Sequence, residues 1–437
     1  MSDRTIDRGP VVVAAGTGIN LALGVLYTWS IFKGAIKSSI ETGGPDAFQW
    51  DVASLNDPYA VCLLVFAGMM IVAGRVQDRF GPRITAFLGG LLVGAGFLWI
   101  SGTQAYWDWI LGFGVLVGAG IGFGYSAATP AALKWFPPNR TGRIAGIVVS
   151  GFGLASVYIA PLATWLVADR GLDGAMQFLG IAFFVVVSLL SLFLVNPPAG
   201  YVPPAFVERR GATETHREAR AKFPDAVEPP SRVIRLPAFW ALWVLYFIGA
   251  GAGLMVIGSM AGMAQKSLGE YAFLAVAILA VGNAAGRITA GTLSDRLGRK
   301  RTLASIFAFQ ALLMFLAIPV VGSAGQDALL IVLLATFIGF NYGANLALFP
   351  SCAKDLWGIR HFGVNYGLLF TAWGVGGFVL SRASEVLRSQ TGTFTASFAV
   401  AGGLLLLGLA VTFLFNDCKD QARCELRRSL RGDAGCA

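Results

Sequence analysis

The chain of 437 residues is 56% hydrophobic and 13% charged, with a mean hydropathy of +0.67, whereas a soluble domain carries about 25% charged residues. That balance excludes an ordinary water-soluble domain and points to a chain that crosses a membrane many times. The formal charge of +9 does not make it a nucleic-acid binder, because all but one of the basic residues lie outside the long apolar runs and most of them share one side.

A bilayer core of about 30 Å takes roughly 20 apolar residues per helical crossing, and twelve such runs follow one another. In the first half they lie near residues 11–32, 58–74, 84–102, 109–131, 144–167 and 175–196; in the second near 237–262, 271–292, 302–323, 328–351, 362–381 and 393–415. A short polar segment precedes the first run, which is too long for a signal-peptide core and carries no small-residue cleavage pattern, so it reads as a retained first helix. Between Asn196 and Leu236 the sequence turns polar and rich in proline and charge. The expected organisation is therefore a six-helix bundle over 1–196, a linker over 197–236, a second six-helix bundle over 237–415 and a tail over 416–437. The fold class is all-α, with twelve transmembrane helices in two pseudo-symmetric bundles.

Charge sets the expected topology. Lys33, Lys37, Arg170, Lys266, Arg382 and Arg388 fall on one side, Arg287 lies inside a run, and the rest of the 33 Lys and Arg residues share the other side with both termini and the linker. The positive-inside rule assigns that richer side to the cytoplasm. Of five cysteines, Cys62 and Cys352 fall in helices, and Cys418, Cys424 and Cys436 fall in the tail, a reducing location where no disulfide is expected. Their spacing does not suggest a metal site, and no cofactor is implied. His216 in the linker and His361 in a loop read as solvated residues rather than catalytic ones. Gly118, Gly120, Gly122 and Gly124 mimic a dinucleotide loop but lie within an apolar run with no preceding strand, where small residues serve close helix packing. The chain does not read as an enzyme.

Two landmarks recur in both halves, as expected of an internal duplication. Gly74, Asp78, Arg79, Gly81 and Arg83 follow the second run with the spacing at which Gly291, Asp295, Arg296, Gly298 and Lys300 follow the eighth. Gly122-Phe-Gly-Tyr125 in the fourth run is echoed by Gly339-Phe-Asn-Tyr342 in the tenth, each followed by a Lys and a Trp. At the first landmark the leading glycine permits close backbone approach and the second a reversal. The aspartate can meet a helix N-terminus or an arginine, giving a polar latch that can break during a conformational change.

Both decapeptides resemble the Gly-x-Leu-x-Asp-Arg-x-Gly-Arg-Lys signature of the major facilitator superfamily, with Val76 and Pro82 as departures in the first copy. Tyr27 to Phe32, Lys134 to Pro137 and Asn341 to Asn345 further resemble its oxalate/formate antiporter and bacterial monocarboxylate transporter branch. The resemblance implies two bundles that rock about a midplane site lined by helices one, four, seven and ten.

A charge at a helix centre costs roughly 2.5 to 3.5 kcal/mol on insertion scales, so an intramembrane Arg287 calls for a cavity and a partner. The aspartates and glutamates nearest the runs, Asp57, Asp108, Asp169, Asp327 and Glu385, all sit at or beyond helix ends, so the counter-ion is expected to be the substrate. The planar guanidinium takes a carboxylate bidentately, and the resemblance implies the same role for an arginine here. Asn283, one turn away, shares its face. Exchangers for oxalate carry a lysine where this chain has Trp373, which leaves one fixed charge and favours a monoanion. Tyr27, Trp29, Tyr125, Tyr342, Phe370 and Trp373 are the candidate cavity wall.

The expectation is a monomeric transporter in the cytoplasmic membrane. It would move small monocarboxylates resembling lactate, pyruvate, acetate or formate by alternating access, as proton symport or carboxylate exchange, with lipid and an organic anion as partners. Oxalate/formate-type exchange and a carboxylate sensor that moves nothing are the alternatives.

Overall fold

The computed structural model describes residues 7–45, 47–198, 201, 228–268, 272–322 and 328–414. Most of the expected linker, with His216, and the whole of the expected tail, with its three cysteines, lie outside the described residues. Ten helices among those described are long and apolar enough to cross a membrane. The one covering Thr141–Ser191 is broken at Gly171, whose φ of 71° is a glycine conformation, so it makes two crossings. Ala272–Leu297 completes the twelve.

The membrane helices are numbered here in chain order. In the first half α1 is Gly9–Thr42, α2 Asp57–Phe80, α3 Pro82–Ile100 and α4 Tyr106–Leu133, with α5 (141–170) and α6 (172–191) either side of Gly171. In the second, α7 is Pro237–Leu268, α8 Ala272–Leu297, α9 Arg299–Gly322, α10 Ala328–Trp357, α11 Phe362–Thr391 and α12 Thr395–Leu414.

Two helices depart from regular α geometry. Within α1, Gly24–Thr28 tightens into a 3₁₀ turn, where a Cβ on Gly24 would stand 2.3 Å from that of Ala155 on α5. Within α4, Ile110–Val117 widens into a π segment, and all of Gly118–Leu133 beyond it is buried. The outer faces of α3, α6, α9 and α12 expose large apolar side chains such as Leu91, Leu98, Leu189, Leu312, Leu316 and Leu407. Apolar surface on that scale belongs against lipid rather than water.

The two bundles meet along two helix pairs related by the internal symmetry, α2 with α11 and α5 with α8. Glycines make the approach close enough for backbone to touch backbone. A Cβ on Gly74 would fall 2.3 Å from the carbonyl of Gly363, and one on Gly142 would fall 2.2 Å from that of Gly291.

Candidate functional site

Glycines seat α8 on its neighbours before any side chain acts. A Cβ on Gly286 would lie 1.9 Å from the Phe340 carbonyl of α10, and one on Gly146 of α5 would lie 2.3 Å from the carbonyl of Arg287. Between these contacts Arg287 is fully buried. Its Nε donates to Oδ1 of Asn283 at 3.0 Å, as one helical turn allows, and its Nη1 donates across the bundle interface to the carbonyl of Val149. Nη2 is buried with no hydrogen-bond partner among the described residues. Among the described residues no carboxylate pairs with this guanidinium.

The aromatic candidates divide. The hydroxyls of Tyr27 on α1 and Tyr342 on α10 share a 2.8 Å hydrogen bond across the bundles, and the Trp373 indole donates to Tyr342 at 2.9 Å. Phe370 stacks on Trp373 with centroids 4.9 Å apart and meets Tyr125 at 5.4 Å. These five form one group with Phe66 and Phe152, which ties the half-buried Tyr27 to the buried Tyr125.

Trp29 does not belong to the group. It packs on Phe113 at 4.6 Å and Trp109 at 6.3 Å, inside an aromatic cluster of the first bundle that also holds Phe48 and Trp50. The 3₁₀ turn just before it rotates the helix, so its bearing does not follow from that of Tyr27.

Sequence reasoning missed Tyr246 of α7 and Tyr366 of α11. Their buried hydroxyls lie close to that of Tyr125, and their rings flank Phe370 at 6.0 and 5.7 Å. The place of Tyr246 in α7, one of the helices expected to line the site, and of Tyr366 one turn before Phe370 were signals that could have found them.

The recurring Gly-Asp loops form two matching contacts. Asp78 at the end of α2 accepts from the N–H groups of Gly363 and Val364 at the start of α11, both at 3.2 Å. Asp295 at the end of α8 accepts from Gly142 and Arg143 at the start of α5, both at 2.8 Å. Each carboxylate thus caps a helix of the opposite bundle at its electropositive end. Gly81 and Gly298 turn the chain with φ of 85° and 96°.

Arg79 and Arg296 take no part; both are exposed, and Arg79 lies over the ring of Phe80. The buried base is Arg299, which bridges Asp295 at 2.9 Å and Asp355 at 2.8 Å. Pro82 stands at its place in the first copy. Near Asp78 the cation is Lys134, whose pKa burial pulls below the ordinary lysine value while the Asp78 charge opposes that shift. Lys354 also spans the interface, from α10 to the Leu133 carbonyl at 3.2 Å and the Thr141 hydroxyl at 3.1 Å.

At the opposite end of the molecule a cavity of about 320 Å³ is lined by Pro45, Ala47, Gln49, Trp50, Gln104, Ala105 and Tyr106. Its described lining residues carry no charged side chain, and it lies in the loops of the first bundle, away from Arg287.

The family profile of the Major Facilitator Superfamily matches residues 11–381 and 274–429. The chain belongs to the major facilitator superfamily. As a facilitator it is 26% identical to the oxalate:formate antiporter of Oxalobacter formigenes, over 80% of this chain and 77% of that protein. It is also 26% identical to monocarboxylate transporter 11 of Homo sapiens, over 92% of this chain and 81% of that one. Among facilitators of known structure the proton:xylose symporter XylE superposes with a TM-score of 0.69 at 14% identity, over 93% of this chain and 95% of that one, a likeness of fold alone. The chain is thus a multi-pass membrane protein of the facilitator transporter type, related at low identity to carriers of carboxylates.

Proposed function

We propose that this facilitator carries small monocarboxylates across the cytoplasmic membrane by alternating access, with both termini in the cytoplasm and Arg287 as the group that takes the carboxylate. The observation that carries the reading is the state of that guanidinium. It is fully buried at the plane where the bundles meet, no carboxylate pairs with it among the described residues, and one of its nitrogens lacks a partner. A bound carboxylate would supply the missing charge and acceptor.

A single fixed cation matches a monoanion. A dianion would bring an uncompensated charge into a low-dielectric site, and Trp373, bonded to Tyr342, offers only a neutral N–H. Tyr27, Tyr125, Tyr342, Phe370 and Trp373 then form the apolar wall and neutral donors around a short organic acid, and Asn283 holds the guanidinium in place. The Asp78 and Asp295 contacts serve as latches that close the cytoplasmic face, and the bundles separate there when the site opens inward.

The deciding experiment is uptake of labelled lactate, acetate, formate and oxalate into proteoliposomes, with and without an inward proton gradient and with and without internal carboxylate. Uptake of the monocarboxylates and not of oxalate is expected. Oxalate uptake at an equal rate would replace the reading with dicarboxylate exchange, and binding without flux would replace it with a sensor.

A further inference from the structure

Resting on the reading of Arg287 as the carboxylate site, we infer that the unloaded guanidinium ties the two bundles together, and that a bound carboxylate releases the tie. Arg287 belongs to α8, yet its Nη1 is bonded to the backbone of α5 in the other bundle, at the Val149 carbonyl. Opening of the latch face separates α5 from α8, because Gly142 and Gly291 touch there. The bond to Val149 lies on the same helix pair, and it must break in that movement. In an empty carrier its loss leaves a guanidinium with Asn283 as its one described partner. In a loaded carrier the carboxylate already supplies acceptors to the fork, so the same movement costs less. The empty carrier is held closed on the latch face and the loaded one is free to turn, and the consequence is exchange in preference to net flux.

Gly153 is the positioning residue for this tie. It lies one turn beyond Val149 on α5, and an added Cβ would stand 3.3 Å from Nε of Arg287 and 3.4 Å from Cζ. The backbone nitrogen of Ala284 on α8 lies 3.3 Å away as well; these distances are tighter than most carbon contacts, so the guanidinium and the α8 backbone together would have to give by a few tenths of an ångström. The absence of a side chain at Gly153 leaves Arg287 room to reach the Val149 carbonyl one turn away.

The test compares carboxylate-for-carboxylate exchange with net efflux from loaded proteoliposomes into carboxylate-free buffer, at equal pH on both sides. In the wild type, exchange is expected to exceed net efflux at least about tenfold, the factor associated with one hydrogen bond to a charged group. Gly153→Ala is expected to narrow that ratio severalfold by speeding the return of the empty carrier. A purely structural effect would slow both modes alike and leave the ratio in place, and that result in an active variant overturns the inference. Equal exchange and net efflux in the wild type overturns it as well, whether or not the variant folds. If no monocarboxylate moves in either mode, the underlying reading of Arg287 fails instead.

Discussion

A guanidinium sealed at the middle of a membrane helix is tolerable only when its donors are met, and among the described residues one nitrogen of Arg287 is unmet. Arg287→Ala is expected to leave folded protein in the membrane and to lower carboxylate uptake at least about 100-fold, the loss of two hydrogen bonds to a charged group; membrane yield and uptake together check it. Tyr342→Phe removes one hydroxyl that serves two partners, Tyr27 and Trp373. Stranding the buried Trp373 N–H costs about 1 to 3 kcal/mol, seen as a lower Tm of the purified protein and a raised KM. Arg287 was legible in the sequence because every other cation could be assigned to a loop, and Asn283 followed from helical spacing. Trp29 was not legible, since the 3₁₀ turn before it changes the number of residues per turn and no composition signal marks that. Arg299 was missed for a different reason: the repeat matched Arg79 with Arg296, and both of those face outward, while the buried partner of Asp295 has no counterpart opposite Pro82.

At the scale of helix pairs, the contacts of α2 with α11 and of α5 with α8 combine a touching pair of glycines with an aspartate at a helix N-terminus. Asp78→Asn keeps the shape and loses the charge. An interaction with the helix dipole contributes about 0.3 to 2 kcal/mol, so turnover is expected to change by up to about 30-fold with KM within about twofold; a kcat indistinguishable from wild type would remove the latch reading. Asp295→Asn goes further, because it also takes a carboxylate from the buried Arg299. Its Tm is therefore expected to fall below that of Asp78→Asn, and equal melting of the two would show that Asp355 alone satisfies the arginine. Gly142→Val would drive a branched side chain into the Gly291 backbone and is expected to abolish transport by holding α5 off α8, which cross-linking of cysteines placed on the two helices would report as a lost product. The recurrence of glycine and aspartate in register made these loops visible in the sequence. Their partners at the starts of α5 and α11 were not, because backbone N–H groups leave no residue signature.

Across the whole molecule, hydropathy was enough to count twelve crossings, since lipid forces every backbone polar group into a helix and every crossing into a long apolar run. The ends were less legible. The first run was read to residue 32, yet α1 continues to Thr42, because Lys33 and Lys37 carry it past the apolar core without ending it. The fifth and sixth runs are separated by one glycine rather than a loop. On the proposed topology, with the basic face in the cytoplasm, a membrane-impermeant thiol reagent is expected to label the tail cysteines Cys418, Cys424 and Cys436 in inside-out vesicles and not in right-side-out ones; the reverse pattern would invert the topology. The π segment at Ile110–Val117 bears on how such a chain can change by descent. A π turn is what one surplus residue leaves in an α-helix, so a single in-frame codon deletion there could be absorbed by the helix as a regular turn. Because the widened turn already takes up the surplus residue, that deletion would leave the two ends of α4 near their present bearings, with Tyr125 still toward Phe370 and Trp109 still toward Trp29. The segment is thus a place where the gene can lose three nucleotides and keep both a spanning helix and the facing of its side chains.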